Sequence, residues 1–306
     1  MVKIYLYILF AAGVVFFAPL SATADEQFTF TSYKDIDKLF KEKGYTQENW
    51  EKGIREVPRL YLTKIPKEWR DSISDKMSIV HKKELFFRLI GPGILRCNEL
   101  ILADRNRLKD ISSKHSLKKE DQLWVLQLAA KYKVVDDKAA TVNAKQIAEL
   151  LKRADIIPPS LAMAQGADES GWGTSRFAEA GNSLFGQWTW GGKGIASKGK
   201  QSGKGDYKVA SFEHPIDSIA AYMLNLNSNN AYSDLRNKRA EIRSHDKEIS
   251  GLALVDTMTH YSQRGKAYVQ DLKNLIKHNH LEPADTAFLS KDPAIQLIPV
   301  GGSAKE

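Results

Sequence analysis

The segment 161–173 constrains the fold of this chain more than any other part of its sequence. Four of its first seven positions carry alanine or glycine, so neighbouring backbone can approach a helix here closely. A helix of this kind is usually central and buried. Gly171 and Gly173 then predict a helix stop followed by a tight turn. Glu169 is therefore predicted in the last turn of a buried helix.

A carboxyl group at that position should hold its proton unusually well. The negative end of the helix dipole and poor solvation both disfavour the carboxylate form of Glu169, and both raise its pKa. A general acid that works near neutral pH needs a raised pKa. The sequence therefore indicates Glu169 as a catalytic acid, and the alternative is an ordinary solvated glutamate at a helix end.

Aromatic and amide side chains follow this helix at short intervals. Alternation over residues 187–190 and 206–212 predicts two strands of a small β-hairpin flap, with a basic, glycine-rich tip between them. A flap beside a buried helix would form a cleft that suits sugar rings. The apolar faces of the sugars pack on aromatic planes, while amide side chains bond to their hydroxyl groups. Any one tryptophan could equally pack in the core. The predicted substrate-binding residues are Trp172, Asn182, Phe185, Gln187, Trp188 and Trp190.

Composition excludes several classes of protein. Cys97 is the only cysteine among 306 residues, which excludes an intramolecular disulfide framework, a cysteine-rich zinc site and an iron–sulfur cluster. We find no metal-ligand motif, and we predict no metal and no cofactor. The net charge of +8 favours an anionic partner. If the protein is exported, cell-wall polymers, lipid headgroups or acidic glycans are expected rather than nucleic acid.

The N-terminus predicts export. Residues 1–24 combine a short positive start, an apolar run and the small-residue pattern Ala22-Thr23-Ala24, which is typical of a secretory signal peptide. An uncleaved N-terminal anchor is the alternative. We expect no stable membrane insertion after cleavage. The sequence has no recognisable wall-binding repeat, and we therefore expect secretion across an inner membrane into a periplasm.

Three regions are predicted in the remaining chain. Residues 25–140 predict a helical N-terminal region, in which a long helix breaks at Gly91-Pro92-Gly93. Residues 141–283 form the predicted catalytic domain, which begins with a capping box of Asn143 and Gln146. Residues 284–306 show little periodicity and predict a loosely ordered tail.

Two motifs carry a family resemblance. Glu169-Ser170-Gly171-Trp172-Gly173, followed by Asn182-Ser183-Leu184-Phe185-Gly186, resembles the glucosaminidase family of peptidoglycan hydrolases, glycoside hydrolase family 73. Tyr261-Ser262-Gln263-Arg264-Gly265 and the helix over 218–227 resemble, more narrowly, the bacterial Bax-type proteins. The resemblance covers about residues 145–280. It implies a mainly α, α+β fold with a lysozyme-like catalytic domain, and hydrolysis of the β-1,4 bond after N-acetylglucosamine in peptidoglycan glycan strands.

The resemblance also assigns roles to individual residues. Glu169 matches the catalytic acid of the family. Asp206 is the only acidic residue between Gly186 and Phe212, where the family places its second carboxylate, although a glutamate is more usual there. The family's Asp-Pro turn before a tyrosine is absent, so Tyr268 is the expected equivalent, with Tyr261 as the fallback and a further substrate contact.

Several alternatives stay open at this point. The second catalytic carboxylate could activate a water molecule and invert the anomeric centre, or it could form a covalent intermediate with the sugar. In a third route the N-acetyl oxygen of the substrate is the nucleophile instead. A muramidase or a lytic transglycosylase of the same fold is the nearest alternative activity. A non-catalytic peptidoglycan-binding scaffold is the alternative from another functional class.

Overall fold

The computed structural model describes residues 26–66, 69, 77–114, 116–136, 138–196 and 208–300. The predicted signal peptide, Asp206 on the predicted flap and residues 301–306 lie outside these ranges. The helices are α1 (Tyr33–Glu42), α2 (Gln47–Glu51), α3 (Ile79–Ser112), α4 (Lys119–Lys131), α5 (Ala144–Arg153), α6 (Pro159–Ser170), α7 (Arg176–Gly181), α8 (Pro215–Ser228), α9 (Ser233–Ser244), α10 (Gly251–Leu254) and α11 (Lys266–His278). The strands are β1 (Glu26–Phe30), β2 (Glu56–Val57), β3 (Leu60–Leu62), β4 (Trp188–Thr189), β5 (Gly194–Ala196), β6 (Lys208–Ala210), β7 (Phe288–Leu289) and β8 (Ile295–Pro299).

Helix α3 runs without interruption through the glycine–proline–glycine sequence, so the predicted break is wrong. Pro92 lies inside the helix and is buried, as are both flanking glycines. A Cβ atom added at Gly91 would lie 3.0 Å from Met163 Cε, and one added at Gly93 would lie 3.0 Å from Ile219 Cδ1. The two glycines therefore allow α6 and α8 to pack closely against α3. This packing compensates for the backbone hydrogen bond that Pro92 removes from α3.

One hydrophobic core joins the N-terminal region to the predicted catalytic domain. Phe40 and Leu85 belong to the same buried cluster as Leu161 on α6, Tyr222 on α8 and Leu272 on α11. A second, smaller cluster joins the end of α3 to α4 and α5. The predicted boundary near residue 140 therefore separates two sequence regions that share a core.

The chain after residue 284 is ordered up to residue 300, which contradicts the predicted loose tail over that range. Strand β8 is the central strand of a parallel sheet and pairs with β1 on one side and β3 on the other. Strand β7 pairs with β2. Ile295, Leu297 and Pro299 are buried and alternate with half-buried residues, and this burial explains the order. The N-terminal region, predicted as helical, therefore also contributes three strands.

The described part of the flap has three strands in the order β4-β6-β5, whereas two were predicted. Residues Gly194–Ala196, expected in the mobile tip, pair with β6 in antiparallel register. Within the described residues the structure is thus mainly helical with three small sheets, which confirms the predicted mainly α, α+β class. Across those same residues, no helix is at once long enough and apolar enough to cross a bilayer.

Candidate active site

Helix α6 ends in an unusual turn that fixes the position of Glu169. Gly171, Trp172 and Gly173 all adopt left-handed backbone conformations, with φ of 56°, 61° and 79°. Ser170 stabilises the turn, because its hydroxyl donates to the carbonyl of Gly166 at 2.6 Å and accepts from the amide of Gly173 at 2.9 Å. Left-handed backbone is unfavourable for a tryptophan, and such strain is concentrated at functional sites.

Glu169 lies half-buried in the last turn of α6, the position that the sequence predicts. Tyr268 donates its hydroxyl hydrogen to Oε1 of Glu169 at 3.0 Å. A Cβ atom added at Gly186 would lie 3.6 Å from the other oxygen, Oε2. Burial raises the pKa of Glu169 to about 6, the hydrogen bond from Tyr268 opposes this rise, and the nearby charge of Asp168 adds to it.

Tyrosine rings surround this carboxyl group. Tyr268 on α11 is fully buried and stacks on Tyr261, with ring centroids 5.6 Å apart and planes 3° apart. Tyr261 donates its own hydroxyl to the carbonyl of Phe185 at 3.3 Å. Of the two tyrosines that the resemblance indicated, Tyr268 is therefore the one that contacts Glu169, and Tyr261 supports its ring.

An arginine covers the outer side of Tyr268. The guanidinium carbon of Arg264 lies 5.0 Å from the centroid of the Tyr268 ring. Arg264 also forms ion pairs with Asp168 and Asp271. These contacts place a positive charge near Glu169, and that charge lowers the pKa of the carboxyl group against the effect of burial.

Asn182 was predicted to bind substrate, and the structure gives its amide a structural role instead. Its Nδ2 donates to the carbonyls of Phe212 and Glu213 at 3.1 and 2.8 Å, and its Oδ1 accepts from the amide of Ile65 at 2.9 Å. The side chain is buried, with 9% of the residue exposed. Because backbone groups use its hydrogen bonds, Asn182 joins the flap to the N-terminal region.

Phe185 and Gln187 are also engaged within the protein. Phe185 is 2% exposed and stacks on Tyr222, with ring centroids 3.9 Å apart. Gln187 donates from Nε2 to the carbonyl of Ser218 at 2.8 Å. Phe185 therefore packs in the core, away from the surface where a substrate would lie, and Gln187 braces the loop. The substrate contact predicted for Gln187 stays a prediction.

The three predicted tryptophans divide into two groups. Trp172 is half-buried between Phe86 and Phe87, with ring centroids 5.8 and 5.2 Å away. Trp188 and Trp190 lie on the flap, are 45% and 68% exposed, and contact each other edge to face with centroids 6.2 Å apart. Trp188 and Trp190 are therefore more exposed than Trp172, whose ring packs against two phenylalanine rings.

Sequence reasoning missed two buried residues that connect to Glu169. Gln165 donates from Nε2 to the hydroxyl oxygen of Tyr268 at 3.0 Å, and Tyr222 donates to Oε1 of Gln165 at 2.6 Å. Gln165 precedes Glu169 by four residues, so the helical period already places both on one face of α6. No comparable local signal identifies Tyr222, which comes from α8.

Comparisons with known proteins find a matching family model, a similar protein and a similar solved structure. Residues 144–281 match the family model of mannosyl-glycoprotein endo-beta-N-acetylglucosaminidase. Protein bax of Escherichia coli (strain K12) is 34% identical over 200 residues, which are 65% of this chain and 70% of that protein. The catalytic domain of the autolysin Auto from Listeria monocytogenes aligns with a TM-score of 0.34 and 19% identity, over 58% of this chain and 95% of that domain.

Proposed function

The chain belongs to the Bax-type proteins that carry a glucosaminidase domain, and we propose that it is an exported endo-β-N-acetylglucosaminidase that acts on peptidoglycan. The bond cleaved is the β-1,4 bond after N-acetylglucosamine. Glu169 is the general acid. It gives its proton to the glycosidic oxygen while the bond from that oxygen to the anomeric carbon breaks, and water supplies the hydroxyl group of the new reducing end.

The half-buried position of Glu169 at the end of α6, with the Tyr268 hydroxyl on its Oε1, is the observation that carries this proposal. A carboxyl group with an ordinary pKa is ionised at neutral pH and has no proton to donate. Burial raises the pKa of Glu169 to about 6, so a useful fraction of the group stays protonated in mildly acidic to neutral solution. The carboxyl group also lies beside the flap, where Gly186 leaves room next to Oε2.

The identity of the second catalytic group is proposed from the family resemblance. Asp206 would act as a base on water if its carboxyl group lay about 6.5–9.5 Å from Glu169, and as a nucleophile at about 5–5.5 Å. The N-acetyl oxygen of the substrate is the third route, with Tyr268 steadying the charge. Nuclear magnetic resonance of the anomer first released separates inversion from the other two routes, and loss of activity in Asp206→Asn separates Asp206 from the substrate-assisted route.

Trp188 and Trp190 are the proposed sugar contacts on the flap. Both rings expose apolar surface, and their edge-to-face arrangement presents two differently oriented planes. Sugar rings pack on such planes through their CH faces. A bound glycan strand would therefore lie between the flap and the end of α6.

Mass spectrometry of digested sacculi tests the proposed reaction. Products with N-acetylglucosamine at the reducing end are expected. Reducing-end muramic acid would indicate a muramidase, anhydro-muramic ends would indicate a lytic transglycosylase, and binding without release would indicate a scaffold. Each of these three outcomes contradicts the proposal.

Glu169→Gln supplies the matching residue-level test. The amide keeps an acceptor for Tyr268 but has no acidic proton, so release of products should fall by about 10²–10⁴-fold. Glu241→Gln, an exposed glutamate on α9, is the control and should keep wild-type activity. Because the glutamine variant buries no charge, it should unfold at pH 7.5 at a temperature no lower than the wild type.

Export is proposed on the sequence pattern of residues 1–24. Cleavage after Ala24 would leave Asp25 as the first residue of the periplasmic protein. N-terminal sequencing of protein recovered from a periplasmic fraction checks this point. A protein that still begins at Met1 contradicts the proposed cleavage, and one confined to the cytoplasm contradicts the proposed export.

A further inference from the structure

A chain of three hydrogen bonds reaches Glu169 from the interior of the protein. Tyr222 on α8 donates to Oε1 of Gln165 at 2.6 Å, Gln165 on α6 donates from Nε2 to Tyr268 at 3.0 Å, and Tyr268 on α11 donates to Oε1 of Glu169 at 3.0 Å. Tyr222, Gln165 and Tyr268 are each at most 1% exposed. Three helices thus meet in one buried polar chain that ends at the proposed acid.

The direction of this chain follows from what each group can donate. An amide nitrogen only donates, so the hydroxyl oxygen of Tyr268 accepts from Gln165 and has its single hydrogen left for Glu169. The hydroxyl of Tyr222 has one hydrogen, which goes to the amide oxygen of Gln165. Among the described residues, Oε1 of Gln165 is the acceptor for this buried hydrogen, and turning the amide would leave the hydrogen unpaired. Tyr222 therefore favours the amide orientation that points the Gln165 nitrogen at Tyr268.

We infer that Tyr222 and Gln165 are positioning residues that keep the hydroxyl hydrogen of Tyr268 on Oε1 of Glu169 and reserve Oε2 for the proton given to substrate. This inference rests on the proposed function of Glu169 as general acid. Oε1 faces the buried chain, whereas Oε2 faces Gly186, where an added Cβ atom would be 3.6 Å away. A proton on Oε1 would point into the protein, away from any leaving group.

The chain of hydrogen bonds also has an effect after Glu169 has given up its proton. The carboxylate then formed is stabilised by the hydrogen bond from Tyr268, and hydrogen bonds to charged groups are stronger than those between neutral groups. Without Tyr222, the amide of Gln165 is free to turn and accept from Tyr268 instead. Glu169 would then lose its donor, and its proton would be released less readily.

To isolate the effect of Tyr222 and Gln165 on the titration of Glu169, the other groups that face Glu169 must stay unchanged. Asp168 on α6 and Arg264 before α11 are the charged groups that act on its pKa. The tyrosines that interact electrostatically with it are Tyr222, Tyr232, Tyr261 and Tyr268. Tyr232 bonds to Asn225 rather than to the chain, so it offers a matched control.

Tyr222→Phe is the variant that tests the inference, measured as a pH profile of sacculus digestion. The ring keeps its packing on Phe185, and the alkaline limb of kcat should move up by about one pH unit. We expect kcat on the acidic plateau to fall about tenfold with KM unchanged. Tyr232→Phe should leave the alkaline limb in place.

If Tyr222→Phe folds and the alkaline limb of its kcat profile stays at the wild-type pH, the inference is wrong. A purely structural role of Tyr222 would change the stability of the protein and not the titration of Glu169. Where Tyr222→Phe does not fold, the neutral variant Gln165→Met is judged by the same limb, since it removes the amide that orients the Tyr268 hydroxyl and adds no charge near Glu169. Titration of the Glu169 carboxyl by ¹³C nuclear magnetic resonance needs no activity, so it tests the chain separately from the glycosidase proposal. A failed glycosidase proposal shows instead in wild-type protein that releases no sugar.

Discussion

Tyr268 and Glu169 are joined by a hydrogen bond of 3.0 Å in which the tyrosine hydroxyl donates to Oε1. The tyrosine cannot move easily, because its ring is fully buried between Tyr261 and Arg264. Burial raises the pKa of the carboxyl group, and the tyrosine opposes that rise. The pKa of about 6 is therefore mainly a balance between desolvation and this donor, to which the charges of Asp168 and Arg264 add smaller and opposite contributions.

Removing the donor should disturb that balance in a defined direction. In Tyr268→Phe the ring still fills its site, but Glu169 loses a hydrogen bond worth about 1.5–3 kcal/mol to its charged form. The pKa of Glu169 should rise, kcat should fall by about 10–100-fold, and the alkaline limb should move to higher pH. Steady-state digestion of sacculi between pH 5 and 8 measures both effects.

Tyr261→Phe is the control for that variant, since its hydroxyl donates to the Phe185 carbonyl and not to Glu169. We expect a smaller loss and an alkaline limb at the wild-type position. Equal shifts in the two variants would mean that the whole tyrosine cluster, rather than the Tyr268 hydroxyl, sets the pKa of Glu169.

Gly186→Ala tests the space beside Oε2 of Glu169, the oxygen that we propose carries the proton. The residue has φ of +59°, and the new Cβ atom would lie 3.6 Å from Oε2 of Glu169. We expect a loss of stability of about 1–2 kcal/mol from the left-handed backbone, and a loss in kcat/KM of about tenfold or more because substrate is displaced from the acid. Thermal unfolding and digestion assays measure the two effects.

Gly53→Ala is the control that separates the effect of backbone strain from the effect of blocking the space beside Glu169. Gly53 has φ of +88° and no atom within 4 Å of its added Cβ, and it lies just after α2 in the N-terminal region. It should lose stability and keep its activity per folded molecule. If Gly186→Ala also kept full activity, the oxygen that faces Gly186 would not be the one that serves the substrate.

Leu297→Ala tests the role of the C-terminal strand. Leu297 is fully buried in β8, between β1 and β3, so its truncation should lower the free energy of unfolding by about 2–5 kcal/mol. Val300→Ala, half-exposed after the strand, should change it by less than about 0.5 kcal/mol. Chemical denaturation compares the two, and equal effects would indicate that β8 does not support the fold.

The sequence predicts the end of α6 and the position of Glu169 in its last turn well, because local chemistry determines both. Small residues require close packing, glycine at 171 and 173 requires a turn, and the carboxyl group then falls at a buried helix end. The pairing of Tyr268 with Glu169 came from the family resemblance. The hydrogen bond itself depends on how α11 lies against α6, which no local pattern contains.

The failures share a different physical cause. Asn182 looks like a sugar ligand from its type and position, but its partners include Ile65, which lies 117 residues away. An amide bonds equally well to backbone or to a hydroxyl group, so only the tertiary fold decides between them. Strand β8 was missed similarly, because its five residues gain order only by pairing with β1 and β3.

The pKa of Glu169 is the central quantity of this account, and ¹³C nuclear magnetic resonance of carboxyl-labelled protein measures it directly, with Glu169→Gln identifying the signal. The folded wild type should titrate near pH 6, so that the acid is protonated below that pH and activity is lost as the pH rises through it. A midpoint at or below the ordinary glutamate value of about 4.3 would contradict the account, because Glu169 would then hold no proton to give at the pH of the reaction.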